Sequence, residues 1–173
     1  MALRIGIGIV SYNRKDVLAE TLARVRAHTK LQSLLVVADD GSHDGTAEFV
    51  RAQGITVITG RNKGVAWNKN RALFLLAEIA NCDAIVLLED DSHPTVDGWE
   101  QDWVVASQRW GHANLAGDWF SESFVRGTGT VDDPIMSTNV SAQCSSFARA
   151  ALVYGGYLDS RFWGFGQEHV EHT

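Results

Sequence analysis

The 173-residue sequence is poor in cysteine, with two in all. Cys82 and Cys144 make no disulfide framework and cannot alone build a cysteine zinc site, so each reads as a small core residue suited to a reducing compartment. Long apolar runs are missing too. The longest clean aliphatic stretches, Leu34 to Ala38 and Ala84 to Leu88, fall far short of a bilayer crossing. The apolar start, Met1 to Val10, carries no cleavage signature and runs straight into patterned sequence, so it reads as a strand and the expected location is the cytoplasm. Positive charge is in deficit: the formal net charge of −6 argues against a whole-protein grip on nucleic acid. With 45% hydrophobic and 21% charged residues, the composition excludes a disordered chain and fits an ordinary globular one. Repeats, low-complexity tracts and linker-like stretches are absent, and the length fits one domain.

What is present alternates in period. Ile5, Ile7 and Ile9 alternate with small residues, as in a strand whose glycine face lets another element come close. Val17, Leu18, Leu22 and Val25 recur at helical spacing, predicting a helix from Asp16 to about His28 capped by Asn13 or Asp16. Ser33 to Ala38 reads as a strand buried on both faces, followed by a helical stretch to Gln53 that Gly54 closes. Ile55 to Thr59 is the next strand, Ala66 to about Ala80 the next helix, and Ala84 to Leu88 another two-sided strand. Trp99, Trp103, Ala106 and Trp110 share one helical face. Ala113 to Phe120 and Met136 to Phe147 read as strands around a loop from Gly127 to Pro134, and Ala148 to Tyr154 as a short helix. The alternation predicts an α/β fold with a mainly parallel sheet flanked by helices. In such sheets ligands bind along the strand C-termini, where Ser11 to Asn13, Asp39-Asp40 and Glu89 to Asp91 all emerge.

Four constellations carry chemistry. Glu89-Asp90-Asp91 repel one another unless a cation compensates, and hard cations such as Mg²⁺ or Mn²⁺ bridge carboxylates to phosphate oxygens; a solvated acidic loop would look the same. Asp39-Asp40-Gly41-Ser42 reads either as turn chemistry or as a pocket floor that binds a base or ribose. Arg61, Lys63, Lys69 and Arg71 suit a pyrophosphate or an ordinary charged helix face. The tail from Gly155 interleaves aromatics with glycine, a wall for a flat sugar ring, and its Glu168, His169, Glu171 and His172 offer acid/base and ligand chemistry. An exposed tail is the other reading of that segment.

As a set, these residues resemble the nucleotide-binding GT-A glycosyltransferases, most closely the large inverting family. Val10-Ser-Tyr-Asn-Arg14 is similar to the end of that family's first strand. Val37 to Thr46 resembles its Val-Asp-Asp-Gly-Ser-x-Asp-Gly-Thr segment, and Asn62-Lys-Gly64 with Lys69-Asn70 its Asn-x-Gly…Arg-Asn stretch. Leu88 to Asp91 falls at its Asp-x-Asp motif, Gly155 to Phe162 is similar to its Gly-Gly-Phe-Asp-Glu-Arg-Phe, and Gln167-Glu-His169 falls where Gly-Glu-Asp lies. The resemblance spans nearly the whole chain. It implies a GT-A, Rossmann-like domain over 1–173, with a donor-binding part about 1–95 and an acceptor-side part about 96–173. Relatives usually continue with more helix, so the chain reads as a minimal or a truncated member.

The implied activity is metal-dependent transfer of a hexosyl or N-acetylhexosaminyl group from a nucleotide-diphosphate donor, first of all a UDP-sugar, to an acceptor hydroxyl with inversion. Ser11, Asp39 and Asp40 would hold base and ribose, with Asn13 beside them. Lys69 would face the pyrophosphate or sugar, Asp90 would contact the donor, and Asp91 would ligate Mn²⁺ or Mg²⁺. His93, two residues on, and His172 are further candidate ligands. Glu168 or His169 would be the base, because His169 stands where relatives often have the basic Asp, and His is competent near neutral pH. The implied acceptor is a carbohydrate or glycolipid, including a growing polysaccharide, with no nucleic-acid partner and peripheral membrane contact at most. Two other readings are a nucleotidyltransferase, disfavoured because no glycine-rich loop follows the first strand, and a non-catalytic module that keeps the donor pocket and has lost the base.

Overall fold

The computed structural model describes residues 3–161. Strand β1 (Ile5–Ser11) is buried along its whole length. Helix α1 (Lys15–His28) follows, burying Leu18, Thr21, Leu22 and Val25 at helical spacing. Then come β2 (Ser33–Asp39), α2 (Thr46–Ala52), β3 (Thr56–Thr59) and α3 (Val65–Phe74). Next are β4 (Ala84–Glu89), α4 (Glu100–Trp110) and β5 (His112–Leu115). The short strands β6 (Phe124–Arg126) and β7 (Met136–Ser137) pair with each other, and β8 (Ser141–Ala148) leads into α5 (Arg149–Gly155).

The main sheet has the order β3-β2-β1-β4-β8-β5. The first four of these strands are mutually parallel, β8 runs antiparallel to β4, and β5 runs antiparallel to β8. The chain therefore winds outward from β1 to β3 and then returns to place β4 on the other side of β1. That reversal opens a crevice between the C-terminal ends of β1 and β4, the position where open α/β sheets bind ligands.

Two core layers cover the sheet. On one face Ile7, Ile9, Val37, Val86 and Leu88 pack with Leu18, Leu22 and Val25 of α1 and Val50 of α2. On the other, Val36, Ile85, Leu87 and Phe147 pack with Ala72, Leu73, Leu76 and Leu152. Here β1 presents Gly6, Gly8 and Val10. A Cβ on Gly8 would lie 2.7 Å from Leu87 Cδ2 and 3.1 Å from Ala72 Cβ, so the glycine face of β1 is what lets α3 settle close to the sheet. Cys82 and Cys144 are both buried.

The structure differs from the sequence expectations in three places. The helix expected to about Ala80 is α-helical only to Phe74, and Leu75–Ile79 continues it as a π turn. The strand expected from Ala113 to Phe120 ends at Leu115; Gly117 then accepts the Phe120 amide at 2.8 Å and starts a short 3₁₀ segment, Asp118–Ser123. Met136 to Phe147 is two strands, because Ser137 Oγ bonds the Asn139 carbonyl at 2.5 Å and turns the chain between them. In α4 the fully buried stripe is Glu100, Val104 and Ser107. Trp103, Ala106 and Trp110 share another face, as their spacing predicts, and line a cavity of about 650 Å³ bordered by β5 and by residues of the 129–140 segment. Glu100 is tolerated inside because its Oε1 accepts the amides of Lys30 and Leu31 at 2.8 and 2.7 Å, which have no other strand or helix to pair with.

Candidate active site

The crevice between β1 and β4 is built from their last residues. Ser11 Oγ donates to Asp90 Oδ2 at 2.7 Å, and Thr21 Oγ1 of α1 donates to the Asp90 carbonyl at 2.5 Å. One Arg14 guanidinium nitrogen donates to Asp90 Oδ1 at 2.8 Å and to Asp91 Oδ2 at 2.9 Å. Asp90 is buried and Asp91 is exposed. Burial pushes the Asp90 carboxyl above the usual carboxylate range, and the Ser11 hydrogen bond and Arg14 charge offset this only in part. Arg14 is held more firmly protonated, first through its hydrogen bond to Asp91.

Beside this pair, the end of β2 is tied inward. Asp39 Oδ2 accepts the Thr59 hydroxyl at 2.7 Å, and the Ser42 amide lies 3.2 Å from the same oxygen. Asp40 accepts the Gly64 amide at 2.8 Å, the Lys63 amide at 3.0 Å and the Arg71 guanidinium at 2.6 Å. Asn68 Nδ2 donates to the carbonyls of Ala38 at 2.8 Å and Ser11 at 3.3 Å, stapling β2 to β1 where they leave the sheet. Asn13 adopts a left-handed φ of 52°, a conformation Asn tolerates better than most residues. Its amide donates to Ser42 Oγ and its Oδ1 accepts the His43 amide. Gly41, with φ of 81°, runs so near Gly60 that a Cβ would meet the Gly60 carbonyl oxygen at 2.6 Å.

Lys69 is buried at 3% exposure, with Nζ 3.1 Å from Glu89 Oε1 and 3.4 Å from the Ala142 carbonyl. It therefore links α3 to β4 and to the start of β8. His93 has its Nε2 4.0 Å from Glu20 Oε1 on α1. Ser11, Asn13, Asp39, Asp40, Lys69, Asp90 and Asp91 thus gather at the C-terminal edge of the sheet. Glu168, His169 and His172 lie outside the described residues.

Sequence reading gave no role to Arg14, Thr21 or Asn68, and read Arg71 only as a pyrophosphate contact or part of a charged helix face. Arg14 had a usable signal, a cation just after the first strand in a chain whose fourth strand-end holds three carboxylates. Asn68 had none, because a buried amide on a helix looks like any exposed polar residue until its strand-end partners are known, and Arg71 is turned inward to Asp40, which its helix position does not reveal.

The donor set can be tested for a metal. Among the described residues no three His, Cys, Asp or Glu side chains converge as an ion cage. Both Asp90 oxygens are engaged by Ser11 and Arg14, whereas Asp91 is exposed and offers a hard oxygen donor. Hard divalent ions are commonly held by one or two carboxylates plus substrate phosphates and water, so Asp91 fits such an ion with a nucleotide supplying further ligands.

The sequence model described as Glycosyl transferase family 2 matches residues 7–114, which takes in the crevice residues from Ser11 to Asp91 and the four parallel strands that leave it. The chain belongs to glycosyl transferase family 2. No curated protein sequence matches it. Solved structures do. The mannosyltransferase PcManGT from Pyrobaculum calidifontis, in complex with GDP-Man and Mn²⁺, has a TM-score of 0.62 at 17% identity, over 92% of this chain and 48% of that one. Residues 1–349 of TarS from S. aureus, in complex with UDP, have a TM-score of 0.70 at 13% identity, over 98% and 54%. GalNAc-T7 with UDP, GalNAc and Mn²⁺ has a TM-score of 0.70 at 15% identity, over 98% and 39%. The chain spans about half or less of these proteins. The common element is the GT-A fold, and the family 2 crevice described above lies at its β1/β4 reversal. No described helix is long and apolar enough to cross a membrane.

Proposed function

We propose that this family 2 chain binds a nucleoside-diphosphate sugar, UDP-linked in the first instance, and transfers the sugar to an acceptor hydroxyl. The observation that carries the reading is the gathering of Ser11, Asp39, Asp40, Lys69, Asp90 and Asp91 at the sheet's topological reversal. The solved structures of similar fold that hold UDP or GDP-Man, two of them with Mn²⁺, support it.

In this reading the Asn13 to Ser42 turn and the Asp39–Asp40 floor shape the base and ribose end. The Asp39 and Asp40 carboxylates serve by fixing the two loops that face the nucleotide, because their hydrogen bonds run inward to Thr59, Lys63, Gly64 and Arg71. Ser11 and Arg14 orient Asp90 toward the donor. Asp91 would hold Mn²⁺ or Mg²⁺, whose charge would neutralise the leaving diphosphate. Lys69 keeps a positive charge buried beside Glu89 near the pyrophosphate end. Glu168 or His169 would take the proton from the acceptor hydroxyl as its oxygen attacks the anomeric carbon from the face opposite the leaving group, which inverts that centre. Holding both substrates in line supplies much of the rate. On the acceptor side, about 96–173, the cavity lined by Trp103 and Trp110 offers indoles suited to the C–H face of a saccharide ring or a glycolipid headgroup.

Calorimetric titration of UDP with and without Mn²⁺ tests the reading. Binding that strengthens with Mn²⁺ is the expected result. Absence of binding by UDP, GDP and dTDP in both conditions would overturn it.

A further inference from the structure

Arg14 carries an inference about the same crevice, and it rests on the donor-site reading above. The segment Glu89-Asp90-Asp91 brings three carboxylates to one strand end, and the protein already supplies two cations to them. Lys69 sits on Glu89 at 3.1 Å, and a single Arg14 nitrogen spans Asp90 and Asp91 at 2.8 and 2.9 Å. The two Arg14 partners differ. Asp90 is buried, with a second donor in Ser11 at 2.7 Å. Asp91 is exposed, its side chain 42% accessible, and the Arg14 side chain is 45% accessible. The Asp91 arm of the bridge is therefore the one that can open, because water can replace the guanidinium there at little cost.

Asp91 is also the carboxylate that fits a divalent ion. Such an ion would sit about 2.0–2.6 Å from a carboxylate oxygen. With the guanidinium 2.9 Å from Asp91 Oδ2, two like charges would then share one small anion. Guanidinium also has a better destination once a nucleotide arrives, since its planar donors match phosphate oxygens.

We propose that Arg14 is a resident counter-cation of the Asp90–Asp91 pair. In the nucleotide-free protein it occupies Asp91 and holds off divalent metal; when a nucleoside diphosphate binds, it moves from Asp91 to the diphosphate, and the metal takes its place. Metal and nucleotide then bind as a coupled pair and each binds weakly alone. In this scheme Arg14 contacts the donor's diphosphate and transfers no proton.

The test is Mn²⁺ binding followed by electron paramagnetic resonance, without nucleotide, on the wild type, Arg14→Gln and Arg14→Lys. Gln keeps a hydrogen-bond donor for buried Asp90 and removes the charge; Lys keeps the charge. Expected is at least ~10-fold tighter Mn²⁺ binding by Arg14→Gln than by wild type, with Arg14→Lys close to wild type. UDP should tighten Mn²⁺ binding ~10-fold or more in the wild type and by much less in Arg14→Gln. Equal or weaker Mn²⁺ binding by Arg14→Gln, in a protein whose circular dichroism matches the wild type, overturns the inference. If the wild type still binds UDP with Mn²⁺, the donor-site reading survives that result. If no variant binds Mn²⁺ or UDP, both fall. Should Arg14→Gln not fold, the Arg14→Lys comparison decides: a large gain in nucleotide-free Mn²⁺ affinity with the charge retained is incompatible with competition by charge.

Discussion

Arg71 donates to Asp40 Oδ1 at 2.6 Å across a sequence separation of 31, and neither side chain is exposed by more than 15%. The same carboxylate takes the amides of Lys63 and Gly64, and Arg71 also donates to the Arg61 carbonyl at 2.7 Å. Asp40 thereby ties the loop between β3 and α3 to the end of β2. Asp40→Ala would leave the half-buried Arg71 charge without its counter-ion and the amides of Lys63 and Gly64 without their acceptor. Removing one partner of a buried pair costs about 3–5 kcal/mol, so urea unfolding should show a loss of that order, and Asp40→Asn a smaller one. A loss under about 1 kcal/mol would mean that the loop is held by something else.

The glycine face of β1 makes a second prediction. Gly8→Ala places a methyl 2.7 Å from Leu87 Cδ2 and 3.1 Å from Ala72 Cβ, side chains fixed in the core on both sides. Overpacking of this kind costs about 1–3 kcal/mol, or roughly 2–4 °C in Tm per kcal/mol for a chain of this size. Gly8 lies three residues before Ser11, so nucleotide affinity measured well below the melting point should stay near wild type. A large affinity loss without a change in Tm would show that the glycine serves the site and not the packing.

Stability against acid should depend on Asp44. Burial pushes its carboxyl up, but the Thr46 hydroxyl and the amides of Lys15 and Thr46 donate to it, and the net effect is a carboxyl below its usual value of 3.8. An acid held below its unfolded value contributes stability that is fully present above that value and is lost as pH falls through the lower folded one. Asp44→Asn should therefore lower stability at pH 7 by about 1 kcal/mol, the scale of a lost helix-end acceptor, because the α1 amide of Lys15 loses its charged partner. As pH falls through the lowered folded value of Asp44, the variant and wild type should converge. A gap that stays constant from pH 7 to pH 2 would exclude the titration of Asp44 as the cause.

Much of this was legible in the chain. Period-two and continuous apolar runs marked β1 to β4, and helical spacing marked α1, α3 and α4, because each element buries a face whose period survives in the residue order. The acidic strand ends were legible because Asp39, Asp40, Asp90 and Asp91 interrupt apolar runs abruptly. The region after Gly111 was harder. The β5 strand has only His-Ala-Asn-Leu, with no alternation to read, and the order that places β8 between β4 and β5 depends on pairing across more than fifty residues. The roles of Arg14 and Asn68, and the inward partner of Arg71, were hidden for the same reason: each acts on a strand-end partner far away in sequence, as Arg14 does on Asp90 at a separation of 76 and Arg71 on Asp40 at a separation of 31.

Asp91 carries the sharpest prediction about the site. Its contact with Arg14 is an exposed ion pair, 45% and 42% accessible on the two sides, and such pairs contribute at most about 1 kcal/mol to folding. Asp91→Asn keeps the size and one acceptor oxygen while removing the charge. Folding should hardly change, whereas any function that needs a hard anionic ligand beside the donor should fail. In the variant, UDP affinity measured with Mn²⁺ should drop to the affinity measured without it, and transfer to acceptor should fall by roughly 10²–10³-fold, the scale of losing one preorganised charge contact in a transition state. The pairing of an unchanged melting temperature with a lost Mn²⁺ response separates a ligand from a scaffold residue. Undiminished Mn²⁺ stimulation in Asp91→Asn would move the metal to other ligands and remove Asp91 from the site.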